Sequence, residues 1–306
     1  MSLTLPLWAA AAASLLLPAS AIAQTPSMDA LWPNEDGLAW TYAQHYENHS
    51  SPQVVDNRTR LRFDGAAVAP NGIEAQYLRQ ELIGSAPVAI AVAVESGLTD
   101  PFLQHLWIAR PDLRQRIVEK AAGGSCPTSA PSGSYAVLLT GELAYRKTPD
   151  EIAAWRCNTV DTRSWLWLAA DLTPGSEFTL QLVPDLAGDV FLHGTVAGVE
   201  AVTVPAGTFG SSVRVDYVID YGRAECTDEF GNPTGSYRSE TRGYIHYAPG
   251  VGPVQSYEEF IPVVEQTGNC GTGPVGERAS LASMALESAT TPARRSTWGQ
   301  IKTAYR

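Results

Sequence analysis

From Trp40 to Val264 the chain is broken repeatedly into runs of strand length by residues that cannot continue a strand, and that rhythm admits few folds. The runs are Trp40–Tyr46, Val54–Phe63, Gly72–Ile83, Ser164–Ala169, Glu177–Val183, Asp189–Val196, Val199–Val204, Ser212–Tyr221, Ser236–Tyr247 and Val254–Val264. They are rich in β-branched and aromatic side chains, and Gly, Pro, Asn, Asp or Ser separates them, as at Ala69-Pro70-Asn71-Gly72. Many short, closely spaced strands predict a mainly β protein, built as a curved antiparallel sheet or an open barrel.

Helical signals are few. Asp100 with Pro101, and then Arg110-Pro111 running to Gly123-Gly124 with Leu113, Ile117 and Val118 as an apolar stripe, predict a short helical insert near 100–122. Thr148-Pro149-Asp150-Glu151 has the form of a capping box and predicts a helix through Trp155. The apolar run Pro87–Val94 is too short to span a bilayer and reads as a buried strand.

The first 23 residues carry no charge, and an apolar core from Leu5 to Leu17 is followed by Pro18. Ala21 and Ala23 then form an A-x-A pattern before Gln24. This is the pattern of a secretory signal peptide cleaved after Ala23, and it predicts a secreted or periplasmic protein. From Gly268 the character changes: a Gly-rich hinge over 269–276, a weak helix over Glu277–Ser288 and a basic end, STWGQIKTAYR. The expected organisation is signal peptide 1–23, β-rich domain 24–267 and flexible C-terminal tail 268–306.

The chain has formal charge −11; residues 277–306 carry +3, which leaves −14 on 24–276. So acidic a body repels phosphate backbones, and nucleic acid is not an expected partner. Four cysteines, Cys126, Cys157, Cys226 and Cys270, form an even set in an exported chain and predict disulfides. Spacing alone leaves three connectivities open; Cys126–Cys157 with Cys226–Cys270 is preferred because each pair brackets a coherent block. No C-x-x-C spacing favours zinc instead.

No residue group announces catalysis, and no cofactor is expected. Gly271-Thr272-Gly273-Pro274-Val275-Gly276 matches G-x-G-x-x-G, but Pro274 removes an amide that a dinucleotide loop needs and no βαβ unit surrounds it. On a strand, His45, Glu47 and His49 would share one face as a three-ligand metal site, although the order is not H-E-x-x-H. His105, His193 and His246 are scattered. The carboxylate pairs Asp185/Asp189 and Asp216/Asp220 could flank a glycosidic bond, whereas Asp228–Asn232 departs from a calcium loop. Aromatic residues are the better lead. Trp165 and Trp167 share one strand face, as do Trp40, Tyr42 and Tyr46, which predicts either a packed core or an aromatic-lined pocket.

Four segments, Gly37-Leu38-Ala39-Trp40-Thr41-Tyr42, Leu172-Thr173-Pro174-Gly175-Ser176, Glu200-Ala201-Val202-Thr203-Val204-Pro205-Ala206-Gly207-Thr208-Phe209 and Tyr247-Ala248-Pro249-Gly250-Val251-Gly252-Pro253-Val254, together resemble a recurrent class of exported bacterial β-rich proteins. The resemblance implies a strongly curved antiparallel sheet, similar to the open barrels of periplasmic lipoprotein carriers, with the last two segments as hairpins; it transfers no catalytic residue. The expected function is non-enzymatic: an exported envelope or extracellular protein binding a hydrophobic or glycan-like ligand in an aromatic-lined pocket. A secreted hydrolase with a carboxylate site, and a structural surface protein whose tail is a sorting signal, are the alternatives.

Overall fold

The structure is a computed structural model that describes residues 28–31, 37–48, 53–68, 74–83, 109–113, 143–147, 151–156, 165–169, 172–183, 187–271 and 280–290, with isolated positions at 26, 33 and 35. The signal segment, most of the predicted helical insert, Pro87–Val94, and Cys126 and Cys157 lie outside these residues.

Among the described residues twelve strands form one antiparallel sheet: β1 (Ala39–Asn48), β2 (Gln53–Val68), β3 (Glu74–Ile83), β4 (Leu143–Lys147), β5 (Glu151–Arg156), β6 (Trp165–Ala169), β7 (Glu177–Val183), β8 (Ala187–Val204), β9 (Gly207–Thr227), β10 (Pro233–Ala248), β11 (Gly252–Gly268) and β12 (Ser280–Thr290). Their order is β6-β5-β4-β3-β2-β1-β12-β11-β10-β9-β8-β7. Every strand therefore pairs with its chain neighbour except β6 with β7, and β12 joins β11 to β1. The topology is an up-and-down barrel opened between β6 and β7. Among the described residues helix comprises α1 (Met28–Leu31), a 3₁₀ turn at Pro111–Leu113 and the single helical residue Ala109.

Three expectations are corrected. Of the helix predicted from Thr148 to Trp155, the described part, from Glu151 onward, is instead β5, paired with β4 and β6. The expected tail does not begin at 268, because Ser280–Thr290 is a strand in the middle of the sheet, not a weak helix in a flexible end. Its Leu, Ala and Met residues favour helix weakly, but β1 offers a ladder along its whole length and β11 a second one over Ser280–Ala285, and that tertiary context decides. Finally, the segments 189–196 and 199–204 are one strand, β8, interrupted by a register shift between Val196 and Gly198.

Burial alternates along the central strands. On β9, Val213, Val215, Tyr217, Ile219 and Tyr221 are buried while the residues between them are half-exposed. One sheet face thus carries the core and the other faces outward. Trp40, Tyr42, Leu61, Phe63 and Leu286 complete the core across β1, β2 and β12.

Both hairpin signatures form as expected. Val204 pairs with Gly207 around Pro205-Ala206, and Ala248 pairs with Gly252 around Pro249-Gly250-Val251, where Gly250 takes φ +72°. The signatures are contact partners of other strands: Ala206 N–H donates to Leu286 O on β12, while Trp40 Nε1 donates to Val251 O and Tyr42 Oη to Pro253 O. The Trp40 ring lies so close to Gly252 that a Cβ there would sit 3.1 Å from it. The aromatic first strand and the later Pro-Gly hairpin are two halves of one packing unit.

Aromatic rings also roof glycines elsewhere. Tyr217 crosses over Gly243, between its neighbours on β9 and β11, and donates to Glu258 Oε1 at 2.6 Å. Burial pushes the Tyr217 hydroxyl well above its ordinary range, which keeps it a donor to that buried carboxylate. At the far side Arg110 ties its loop to the sheet. Its guanidinium bonds Asp112, Asp189 (2.6 Å) and Tyr221 O. The space it needs exists because Gly222, at φ +75°, has no Cβ to strike Asp189.

Cys226 and Cys270 form a disulfide, as preferred from the sequence, beside a small satellite core of Ala224, Cys226 and Tyr237.

Candidate functional site

The outward face of the central sheet carries a cleft of about 740 Å³ that spans β1, β2, β3 and β10 to β12. Register explains its shape. Asp216, Tyr244, Tyr257, Ser283, His45 and Asp56 lie opposite one another in a single row across β9, β10, β11, β12, β1 and β2. In the next row Arg214, His246, Gln255, Ala285, Ala43 and Arg58 do the same. Large side chains stand on β10 and β11 and on β2, while β12 and the adjoining part of β1 present Ser283, Ala285 and Ala43. The small residues make a floor between two walls.

The first wall is aromatic. Tyr244 and Tyr257 stack at 5.7 Å and 20°, and the Arg214 guanidinium sits 4.5 Å over the Tyr244 ring. Asp216 holds Arg214 there at 2.6 Å. Burial, and then the nearby Glu259 carboxylate, push the Tyr257 hydroxyl above its ordinary range, so it is a neutral donor at neutral pH.

The second wall is charged. His45 Nε2 meets Glu47 Oε1 at 2.9 Å and Nδ1 meets Asp56 Oδ1 at 2.7 Å. Only the doubly protonated ring donates to both carboxylates, and the hydrogen bonds to Glu47 first and Asp56 second raise the His45 pKa from 6.5. A raised folded pKa means that the ring's contribution is complete below about pH 6.5 and is lost as pH climbs through the folded value. NMR titration should therefore place His45 above 6.5, with Glu47→Gln lowering it more than Asp56→Asn; a wild-type value at or below 6.5 rejects the pairing. Arg58 beside it is engaged by Glu287 at 2.6 Å.

The residues expected from sequence are distributed differently. Trp40 and Tyr42 are fully buried, with their polar atoms bonded to backbone carbonyls, so they belong to the core and not to a pocket rim. Trp165 and Trp167 fall on β6, with side chains outside the described residues. His45 and Glu47 do share a face, but both imidazole nitrogens face carboxylates; His49 lies outside the described residues. Among the described residues no group of three His, Cys, Asp or Glu is arranged to hold a metal ion.

Asp189 serves Arg110 and Asp216 serves Arg214. Asp216 and Asp220, four residues apart on β9, are separated by about 13 Å of strand, beyond the roughly 6.5–9.5 Å span of an inverting glycosidase pair. Asp228 accepts from the amides of Phe230 and Asn232 and closes the β9–β10 turn. His193 meets Thr179 on β7. His246 is 4% exposed and bonds Glu200 at 2.7 Å, which holds the Glu200 carboxyl below its ordinary range. The wall residues Tyr244 and Tyr257 were not visible as a pair in the sequence.

No family model matches the chain, and no curated protein matches it. Two solved structures resemble it. One is a protein described as exported, with a YmcC-like fold, from Bacteroides fragilis, at 14% identity and TM-score 0.36. The other is a protein described as a lipoprotein from Parabacteroides distasonis, at 11% identity and TM-score 0.35. Each likeness covers 85% of this chain and 98% of the other. At such scores the likeness is loose and places no residue of the cleft.

Proposed function

We propose that this is an exported, non-enzymatic binding protein whose outward cleft takes a glycan-like ligand. The half-buried Tyr244–Tyr257 stack beside a small-residue floor carries the reading. Aromatic faces receive the C–H faces of sugar rings, and carboxylate, guanidinium and amide groups on the rim exchange hydrogen bonds with hydroxyls. A lipid chain is a poorer match, because His45, Asp56 and Arg58 would face it. Charges at Arg214, Asp216 and Arg242 also make this face unlike the apolar band that a membrane barrel turns to lipid. Among the described residues no helix is long and apolar enough to cross a membrane. Export is supported by the signal-type first 23 residues and by the Cys226–Cys270 disulfide, which persists in oxidising compartments.

Tyr257→Ala should weaken binding of a matching oligosaccharide about tenfold, the worth of roughly 1.4 kcal/mol of stacking. Isothermal titration calorimetry against neutral, amino and acidic oligosaccharides measures it. Absence of saturable binding across that panel would overturn the proposal.

A further inference from the structure

We infer that the cleft seats one saturated ring directly above Ser283, as a missing rung in a ladder of side chains, and that its charge favours neutral or amino sugars over uronic acids. This deepens the glycan reading and rests on it. Along the row, the Arg214 guanidinium covers Tyr244 and Tyr244 stacks on Tyr257, so planar groups occupy consecutive positions from β9 to β11. The next position on β12 is Ser283, whose side chain is a single hydroxymethyl group, and the one after it on β1 is His45, an imidazole again. The ladder skips one step.

The width of that step follows from strand spacing. Neighbouring strands lie about 4.8 Å apart, so the backbones carrying Tyr257 and His45 are about 9.5 Å apart. A flat ring in contact with both walls needs about 7–8 Å, two contacts of 3.5–4.0 Å. A saturated ring is thicker by its axial hydrogens and takes up the remainder. The walls do not close on the space unaided: Glu47 and Asp56 hold the His45 ring, and Tyr257 is held against Tyr244.

Charge sets the second part. Around the step stand His45 and Arg58 against Glu47, Asp56 and Glu287, so carboxylates outnumber cations even with His45 protonated. Arg58 is already taken by Glu287, and an incoming carboxylate would meet Asp56, whose side chain is 79% exposed. An ammonium group at the same place would be attracted.

The experiment is calorimetry on the disulfide-intact protein with cellotetraose, chitosan tetramer and tetragalacturonate. Tetragalacturonate should bind at least tenfold more weakly than the other two. Ser283→Phe, which supplies the missing rung from the protein itself, should weaken binding at least twentyfold. In the unaltered protein the Ser283 and Ala285 amides should show the largest NMR shifts on titration, which tests the placement without any substitution. Unchanged binding by a folded Ser283→Phe, or shifts centred away from β12, overturns the seat above Ser283. Preferred binding of tetragalacturonate overturns the charge selection. Both results leave glycan binding itself standing, and failure of all three sugars to bind the unaltered protein overturns that reading instead.

Discussion

Replacing Trp40 with alanine should lower folding stability by about 4 kcal/mol, within the usual range for emptying a buried tryptophan site. Trp40 is fully buried, meets Phe63 edge-on at 5.6 Å, covers Gly252 and donates to Val251 O. The substitution therefore opens a void and leaves a hairpin carbonyl without its indole donor. Collapse into the void is resisted on both sides, because β1 is laddered to β2 and to β12. Trp40→Phe separates the two contributions: it keeps most of the packing and should cost about 1–2 kcal/mol, near the worth of one buried hydrogen bond and a small gap. Urea denaturation reads both values. A loss below about 1 kcal/mol for the alanine variant would show that the first strand does not anchor the hairpin.

The second large effect belongs to the Cys226–Cys270 disulfide. The bond closes a loop with sequence separation 44, and the chain-entropy argument assigns such a loop about 4 kcal/mol at 25 °C. The loop contains β10 and β11, so its loss frees the end of a three-strand unit and the small core around Tyr237. Cys226→Ala with Cys270→Ala should lower the urea midpoint accordingly. This pair of substitutions is cleaner than a reductant, which acts on every disulfide in the chain. A double variant as stable as the parent would show that the unfolded chain already holds these strands together.

The sequence made most strands legible because turn residues and alternation act locally. It did not reveal β12, since Ala282, Met284 and Ala285 carry no strand preference of their own and acquire one only between two waiting edges. The Thr148 capping signal misled for a similar reason: Glu151–Arg156 gains more from pairing with β4 and β6 than an isolated turn of helix could supply. The cleft was half visible. His45 and Glu47 share a face by simple period-two counting, and so do Trp40 and Tyr42, but nothing local says which of those two faces is buried. Tyr244 and Tyr257 are paired by register. Counting outward from Ala248 opposite Gly252 would set Ser256 against Tyr244; the extra residue at the bulge, Val254, moves Tyr257 there instead. One residue of irregularity therefore builds the aromatic wall, and no local pattern announces it.

The position of β12 has a consequence for how the molecule comes into being. Strands β1 to β6 form one meander and β7 to β11 another, and among the described residues the ladder between the two runs through Ser280–Thr290. A chain delivered from its N-terminus holds two unfinished fragments, each with a bare edge, until that segment arrives to zip them together. Assembly is thus withheld until nearly the whole chain has been delivered, and contacts joining residue 40 to residue 289 make it slow. Cutting the chain short before residue 280 should therefore yield two halves that aggregate through their unpaired edges.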